Sequence, residues 1–265
     1  MIKILPLEVV ADELARLRAT HPLVHLLTNE VVQEITANVL LAVGASPAMI
    51  VAEEEVEPFA AISSALLVNV GTLYPARLAA MKQAVAAANR AGVPWTLDPV
   101  AAGVLEYRTL ACREFMRCKP AAIRGNASEI LALAGFEGSG RGVDTTADSA
   151  AAVQAAGQLA RSTGAIVAVT GETDFITDGT VTWSTPWGHP IMTKVVGTGC
   201  ALSALVAAFT AHASNRLAAV AAACAVAGLC GERAASTSRG PGSFKAEFLD
   251  GLYLLTPEKL REQVA

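Results

Sequence analysis

The run Val195-Val196-Gly197-Thr198-Gly199-Cys200-Ala201-Leu202 sets two glycines, a hydroxyl and a thiol at the mouth of a helical pattern. Beyond it, apolar residues recur at Ala201, Leu205 and Phe209, with Leu202 and Val206 beside them, which marks one face of a helix. A glycine-rich entry leaves several backbone N–H groups without partners at the positive end of the helix dipole. Such a cluster holds a phosphate, or a phosphoryl group in transit. Cys200 falls in the first turn, where the dipole favours a thiolate. The same residues also describe a plain tight turn into a packed helix with a small buried cysteine. By themselves they leave both readings open.

A second group of residues follows a common rule. Thr28-Asn29, Met49, Gly71-Thr72, Asp98, Arg124 with Asn126, and Thr170-Gly171 each close an apolar run, and most are polar or glycine. In open α/β sheets, ligands bind beyond the carboxyl ends of the parallel strands. Asp98 and Glu129 are the carboxylates placed near a metal, because oxygen ligands with intervening waters suit Mg²⁺ bound to phosphates. An Asp-Pro turn and a first-turn helix acid are the structural alternatives for these two. Arg124 offers phosphate a bidentate fork, or serves as an ordinary rim arginine. Thr170 reads equally as a turn residue, and Met49 on general grounds as core. His25 and His189 lack the spacing of a zinc site or of a Ser-His-Asp relay, and neither is given a role.

The elements that must position these residues alternate. Helical periodicity covers residues 7–19, 30–43, 53–64, 75–91, 106–117, 127–134 and 147–163. In the helix over 30–43 the inward set is Val31, Ile35, Val39 and Ala42. Between them, apolar strands fall at 23–27, 47–52, 65–70, 93–97, 121–124 and 165–169. Residues 136–146, rich in glycine and charge, read as an exposed loop. The pattern then changes: 174–177 and 180–184 alternate around Asp178-Gly179, a hairpin signal. After the opening motif come long helices over 215–236 and 243–255. No internal repeat or linker divides the chain. The expected architecture is one α/β domain over 1–265, a doubly wound, mostly parallel sheet with helices on both faces and a late β-hairpin at one edge.

Composition narrows the partners. Of 265 residues, 53% are hydrophobic and only 5% aromatic, so the core must be built from alanine, valine and leucine in closely packed helices on a sheet. The net charge of −4 and the lack of a Lys/Arg cluster argue against nucleic acid. Residues 217–230, the most apolar region, are too few to span a bilayer and lie between Arg216 and Glu232, so a buried helix rather than a membrane anchor is expected. The first 22 residues carry Glu8, Asp12 and Glu13 where a secretory signal would be apolar. Five cysteines without a CxxC pair point to a reduced, cytoplasmic protein.

Several of these segments together carry a resemblance. The chain resembles the hydroxyethylthiazole kinase family of the ribokinase-like superfamily, from Pro22 to about Leu255. The match rests on His25-Leu26-Leu27-Thr28-Asn29, Ala37-Asn38, Gly44-Ala45-Ser46-Pro47-Ala48-Met49, Asn69-Val70-Gly71-Thr72-Leu73, Asp98-Pro99-Val100, Asn126-Ala127-Ser128-Glu129, Val169-Thr170-Gly171 and Gly197-Thr198-Gly199-Cys200. The first three are specific to the thiazole kinases, and the last four belong to the wider superfamily.

The resemblance implies a thiamine-salvage kinase that takes ATP, Mg²⁺ and the small alcohol 4-methyl-5-(2-hydroxyethyl)thiazole. Gly197, Thr198, Gly199 and Cys200 are then the anion hole for the transferring phosphoryl group. Arg124, Thr170 and Asn126 are nucleotide contacts, Asp98 and Glu129 organise magnesium, and Asn29, Met49 and Gly197 line the thiazole pocket. Family members are homotrimers with active sites between subunits, which places the strand end near Met49 against a neighbour. Where most of the superfamily has aspartate as general base, this chain has Cys200, as thiazole kinases commonly do, so the base stays open. Leu27 stands where Met is more usual, a change expected to be neutral. Two rivals remain: a sibling kinase for hydroxymethylpyrimidine, and a nucleotide-binding homologue without catalysis.

Overall fold

Short apolar runs broken by longer amphipathic ones can bury both sheet faces only if the helices divide between them. The computed structural model describes residues 2–135 and 146–262, and shows that arrangement. Nine strands, β1 (Ile2–Ile4), β2 (Leu23–Leu27), β3 (Ser46–Ala48), β4 (Ala65–Asn69), β5 (Trp95–Asp98), β6 (Ala122–Asn126), β7 (Ile166–Thr170), β8 (Asp174–Thr177) and β9 (Thr182–Thr185), form one sheet. Their order is β1-β9-β8-β7-β6-β5-β4-β2-β3. Only β8 runs against the rest, since it pairs antiparallel with both β7 and β9 while every other pairing is parallel.

Helices α1 (Leu7–Thr20), α2 (Gln33–Val43), α8 (Thr198–Thr210), α9 (Arg216–Thr237) and α10 (Pro241–Leu254) cover one face. The other face carries α3 (Glu53–Ile62), α4 (Pro75–Ala91), α5 (Glu106–Arg117), α6 (Ala127–Leu133) and α7 (Thr146–Thr163). A last short helix, α11 (Pro257–Glu262), sets Leu260 into the first core. Helix α8 is buried at every position from Ala201 to Thr210, not on one face alone, because it lies between the sheet and α1, α2 and α9. The apolar segment 217–230 is the buried start of α9, as expected.

The structure corrects the sequence reading in particular places. Strand β1 was not expected, and it adds parallel to β9, so the hairpin lies one strand in from the edge. Val31 points outward at 67% exposure, and Val32 takes the inward position. The cause is a 3₁₀ turn at Glu30–Val32, which precedes α2 and shifts its phase. Strand β3 stops at Ala48, well short of residue 52. A second 3₁₀ turn, Pro190–Lys194, and α11 also escaped the pattern. The loop expected over 136–146 lies almost wholly outside the described residues.

Helix α8 is held at its far end by a half-buried arginine. Arg16 donates to Glu13 at 2.8 and 2.6 Å, and the same guanidinium donates to the carbonyls of Phe209 and Ala211. A cation at a helix C-terminus complements the dipole and satisfies orphan carbonyls. Arg16→Met leaves those carbonyls and the buried Glu13 without their partner, at a cost of roughly 2–4 kcal/mol. Calorimetry should show Tm lower by roughly 5–10 °C. An unchanged Tm would mean that water serves these carbonyls equally well.

Candidate active site

Helix α8 begins at the carboxyl edge of the sheet, on a backbone turn that only glycine fits. Gly197 has φ 93°, and a Cβ there would meet Ile35 Cγ2 at 2.7 Å and Val32 Cγ1 at 3.0 Å. The Thr198 hydroxyl points back into the preceding turn and donates to Met192 O at 2.9 Å. The first helical bond is made by the Ala201 amide to Gly197 O at 2.8 Å. The amides of Thr198, Gly199 and Cys200 therefore precede the hydrogen-bonded ladder, and no side chain caps the helix. Such an uncapped start has the geometry that seats an anion on backbone alone.

Arg124 projects from β6 over that seat. Its Nη1 donates to Gly199 O at 3.1 Å and its Nη2 to the Thr170 hydroxyl, which lies at the end of β7. A side chain at Gly199 would come within 3.1 Å of Arg124 Nη1, so the guanidinium lies flush against the helix start. Its buried Nε has no hydrogen-bond partner among the described residues. A half-buried guanidinium beside free amides gives the seat its positive charge.

On the other side the sheet register brings a row of polar residues together. Asn69 ends β4 and Asp98 ends β5 as direct partners, both almost fully buried. Asn69 Nδ2 donates to Asp98 Oδ2 at 2.6 Å. Asn69 Oδ1 accepts from Gly71 N at 2.9 Å and from Asn29 Nδ2 at 3.1 Å. Asn29 Nδ2 also reaches Cys200 Sγ at 3.4 Å, and Asn29 Oδ1 caps Val31 N at 3.1 Å. A continuous chain thus runs Asp98–Asn69–Asn29–Cys200. Burial pushes the Asp98 carboxyl up to about 7; Arg124 opposes that rise, Glu129 adds to it, and hydrogen bonds from Ser203 and Asn69 oppose it.

Most of the expected residues meet here, with corrections. Asn29, Asp98, Arg124, Thr170, Gly197, Thr198, Gly199 and Cys200 form one connected wall. Cys200 is not thiolate-prone: burial pushes its thiol up to about 11, with the Asp98 charge adding to the effect, against weaker pulls from Asn69, Arg124 and Asn29. Desolvation is the largest of these influences on the thiol. Glu129 accepts from Asn126 N and Ala101 N, both at 2.9 Å, and so ties the β6–α6 turn to the segment after Asp98. The Asn126 side-chain oxygen completes this capping box on Glu129 N at 2.9 Å, so that oxygen is committed to the backbone. Met49 stands apart, half-buried after β3 and packed against the α2–α8 core. Among the described residues no group of three or more His, Cys, Asp or Glu side chains is placed to hold a metal by itself.

Asn69 was missed as a site residue. The sequence showed an apolar run ending in a carboxamide, but assigning the strand through Val70 hid that Asn69 is its last residue.

Similarity to known proteins follows this geometry. Residues 14–258 match the model of the hydroxyethylthiazole kinase family. A curated hydroxyethylthiazole kinase of Tolumonas auensis is 57% identical over 267 residues, covering 100% of both chains. The solved hydroxyethylthiazole kinase of Pyrococcus horikoshii is 36% identical, with TM-score 0.88 over 95% of both chains. A ribokinase-like superfamily protein of Enterococcus faecalis is 12% identical and shares the fold alone, with TM-score 0.69 over 98% of this chain and 96% of that one.

Thiol reactivity tests the electrostatics of the wall. With iodoacetamide near neutral pH, exposed Cys118 should be alkylated well before Cys200. The Cys200 rate should still be rising at about pH 10, as a thiol pushed up to about 11 requires. A plateau below about pH 9 would show that the helix dipole prevails after all.

Proposed function

The chain belongs to the hydroxyethylthiazole kinase family, and on that basis we propose that it uses ATP to phosphorylate the hydroxyl of 4-methyl-5-(2-hydroxyethyl)thiazole, serving thiamine biosynthesis or salvage. One observation carries the placement of the reaction. The uncapped start of α8 has Arg124 and Thr170 on one flank and Asn29 on the other, so a phosphoryl group seated there faces nucleotide and alcohol at once.

Phosphoryl transfer through a loose transition state needs positioning and charge stabilisation more than covalent help. The amides of Thr198, Gly199 and Cys200 bind the transferring oxygens, and Arg124 neutralises charge spreading toward the leaving phosphate. Thr170 and Asn126 complete the nucleotide side. Asn29 and Gly197 bound the thiazole, and Met49, which stands apart within one subunit, bounds it across the subunit boundary. Cys200, with its thiol held neutral, shapes the acceptor side and is a poor base; the alcohol proton leaves late, so little base strength is required.

The donor set fits magnesium. Asp98, at the end of β5, and Glu129, which ties the α6 start to the segment after Asp98, are hard oxygen donors of the kind magnesium takes. Asp98 and Glu129 would hold the ion together with the ATP phosphates and waters, and when bound it supplies neutralisation of phosphate charge. We place the enzyme in the cytoplasm, where its five free cysteines stay reduced, as a single domain over 1–265. We also propose a homotrimer with intersubunit sites. Half-buried Met49 and the exposed Val51 and Leu41 lie on segments at the β3 edge of the sheet, where a neighbour's surface would close the pocket.

A substrate panel with ATP and Mg²⁺ tests the reading directly. The thiazole alcohol should be turned over far faster than hydroxymethylpyrimidine, and equal kcat/KM for the two would remove the assignment. Arg124→Ala should lower kcat/KM for ATP roughly ten- to a hundredfold, since it deletes a charge-assisted contact. Cys200→Ala should keep measurable turnover. Wild-type kinetics in Arg124→Ala at sub-saturating ATP would mean that the nucleotide lies elsewhere.

A further inference from the structure

Among the described residues, Asn69 is the side chain that hydrogen-bonds to both Asp98 and Asn29. It is fully buried at the carboxyl end of β4, and each end of its amide is used in one sense only. The nitrogen donates to Asp98 on the magnesium side, and the oxygen accepts from Gly71 N and from Asn29 on the acceptor side. A carboxylate in this place would set two acceptors against each other at the Asp98 end. An apolar side chain would strand a buried amide, a buried carboxyl and the nitrogen of Asn29. Only a group with one donor face and one acceptor face satisfies all three neighbours.

The surroundings enforce this arrangement. A side chain at Gly71 would meet the Asn29 carboxamide at 2.8 Å, so glycine is what lets Asn29 reach Asn69. Thr72, held at φ 44°, accepts from Glu30 N at 3.2 Å, and Arg77 donates to Thr28 O. The two strand-end loops that carry Asn29 and Asn69 are thereby clamped together. The register that pairs Asn69 with Asp98 then fixes this unit against β5.

We infer that Asn69 is a positioning residue that sets the acceptor-side Asn29 and the magnesium-side Asp98 relative to each other through a single carboxamide. It rests on the kinase reading above. Asn69 acts through these two side chains and not on the reacting atoms, and the Arg124–Thr170 nucleotide contacts do not involve it.

Two isosteric variants separate the two ends. Asn69→Asp keeps an acceptor for Gly71 N and Asn29, and at the Asp98 end replaces the donation with a second acceptor. Asn69→Leu loses both. Binding of the thiazole alcohol, measured by calorimetry without nucleotide or metal, should stay within about threefold of wild type in Asn69→Asp and weaken about tenfold in Asn69→Leu. In both, kcat should fall at least about tenfold while KM for ATP changes less than about threefold. A purely structural residue would lower Tm and leave kcat per folded molecule unchanged. Wild-type kcat in folded Asn69→Asp, or wild-type alcohol affinity in folded Asn69→Leu, overturns the inference. Should a single variant fail to fold, the exchanged pair Asn69→Asp with Asp98→Asn restores a donor–acceptor match. That pair should fold and bind the alcohol within about threefold of wild type, and loss of alcohol affinity in the folded pair overturns the inference. Wild-type protein run in parallel separates the two questions. Its failure to phosphorylate the thiazole alcohol refutes the kinase reading, whereas normal wild-type turnover lets the variant results bear on Asn69 alone.

Discussion

The amides that open α8 have no partner within the helix, and much of the surrounding structure exists to keep them so. A helix start normally recruits a side-chain cap or water. Here Gly197 turns the chain at a positive φ, tight against Val32 and Ile35, while Thr198 spends its hydroxyl on the preceding turn. The helix behind is buried on all sides, and its far end is bonded by Arg16. Such a helix cannot drift, and its free end stays aimed at one place.

Burial makes the neighbouring charges strong. In the low dielectric between strand ends, Asp98 holds its proton more tightly than a surface carboxylate, and Cys200 is kept a thiol. Arg124 is the cation nearest this cluster in effect, and its guanidinium is tied to Gly199 and Thr170. Arg124 offsets only part of the burial effect on Asp98. Stability alone would be better served by capping α8 and neutralising Asp98.

The scarcity of aromatic residues has a structural counterpart. Alanine dominates α8 and α9, which lets those helices approach the sheet and each other closely. Trp95 and Phe115 pack edge to face on the opposite side of the sheet, while Phe209 of α8 and the stacked Phe244 and Phe248 of α10 fill the α8 side.

The periodicities and the glycine-threonine-glycine run were local facts, and the sequence by itself determined what depended on them. The alternating parallel fold, the start of α8 and the polar strand ends at Asn29, Asp98, Arg124 and Thr170 all followed from residue type and spacing. Asn69, the phase shift that turns Val31 outward, and the extra edge strand β1 did not. The first and last depend on pairing between residues far apart in the chain, and the phase shift on a 3₁₀ turn that a helical repeat does not register. Whether Asn69 meets Asp98 is set by the register of β4 on β5, and a one-residue change of register would send it to the other face. The Cys200 thiol shows the same division. Sequence places it at a helix start, but only the tertiary structure surrounds it with the protein whose desolvation pushes the thiol up.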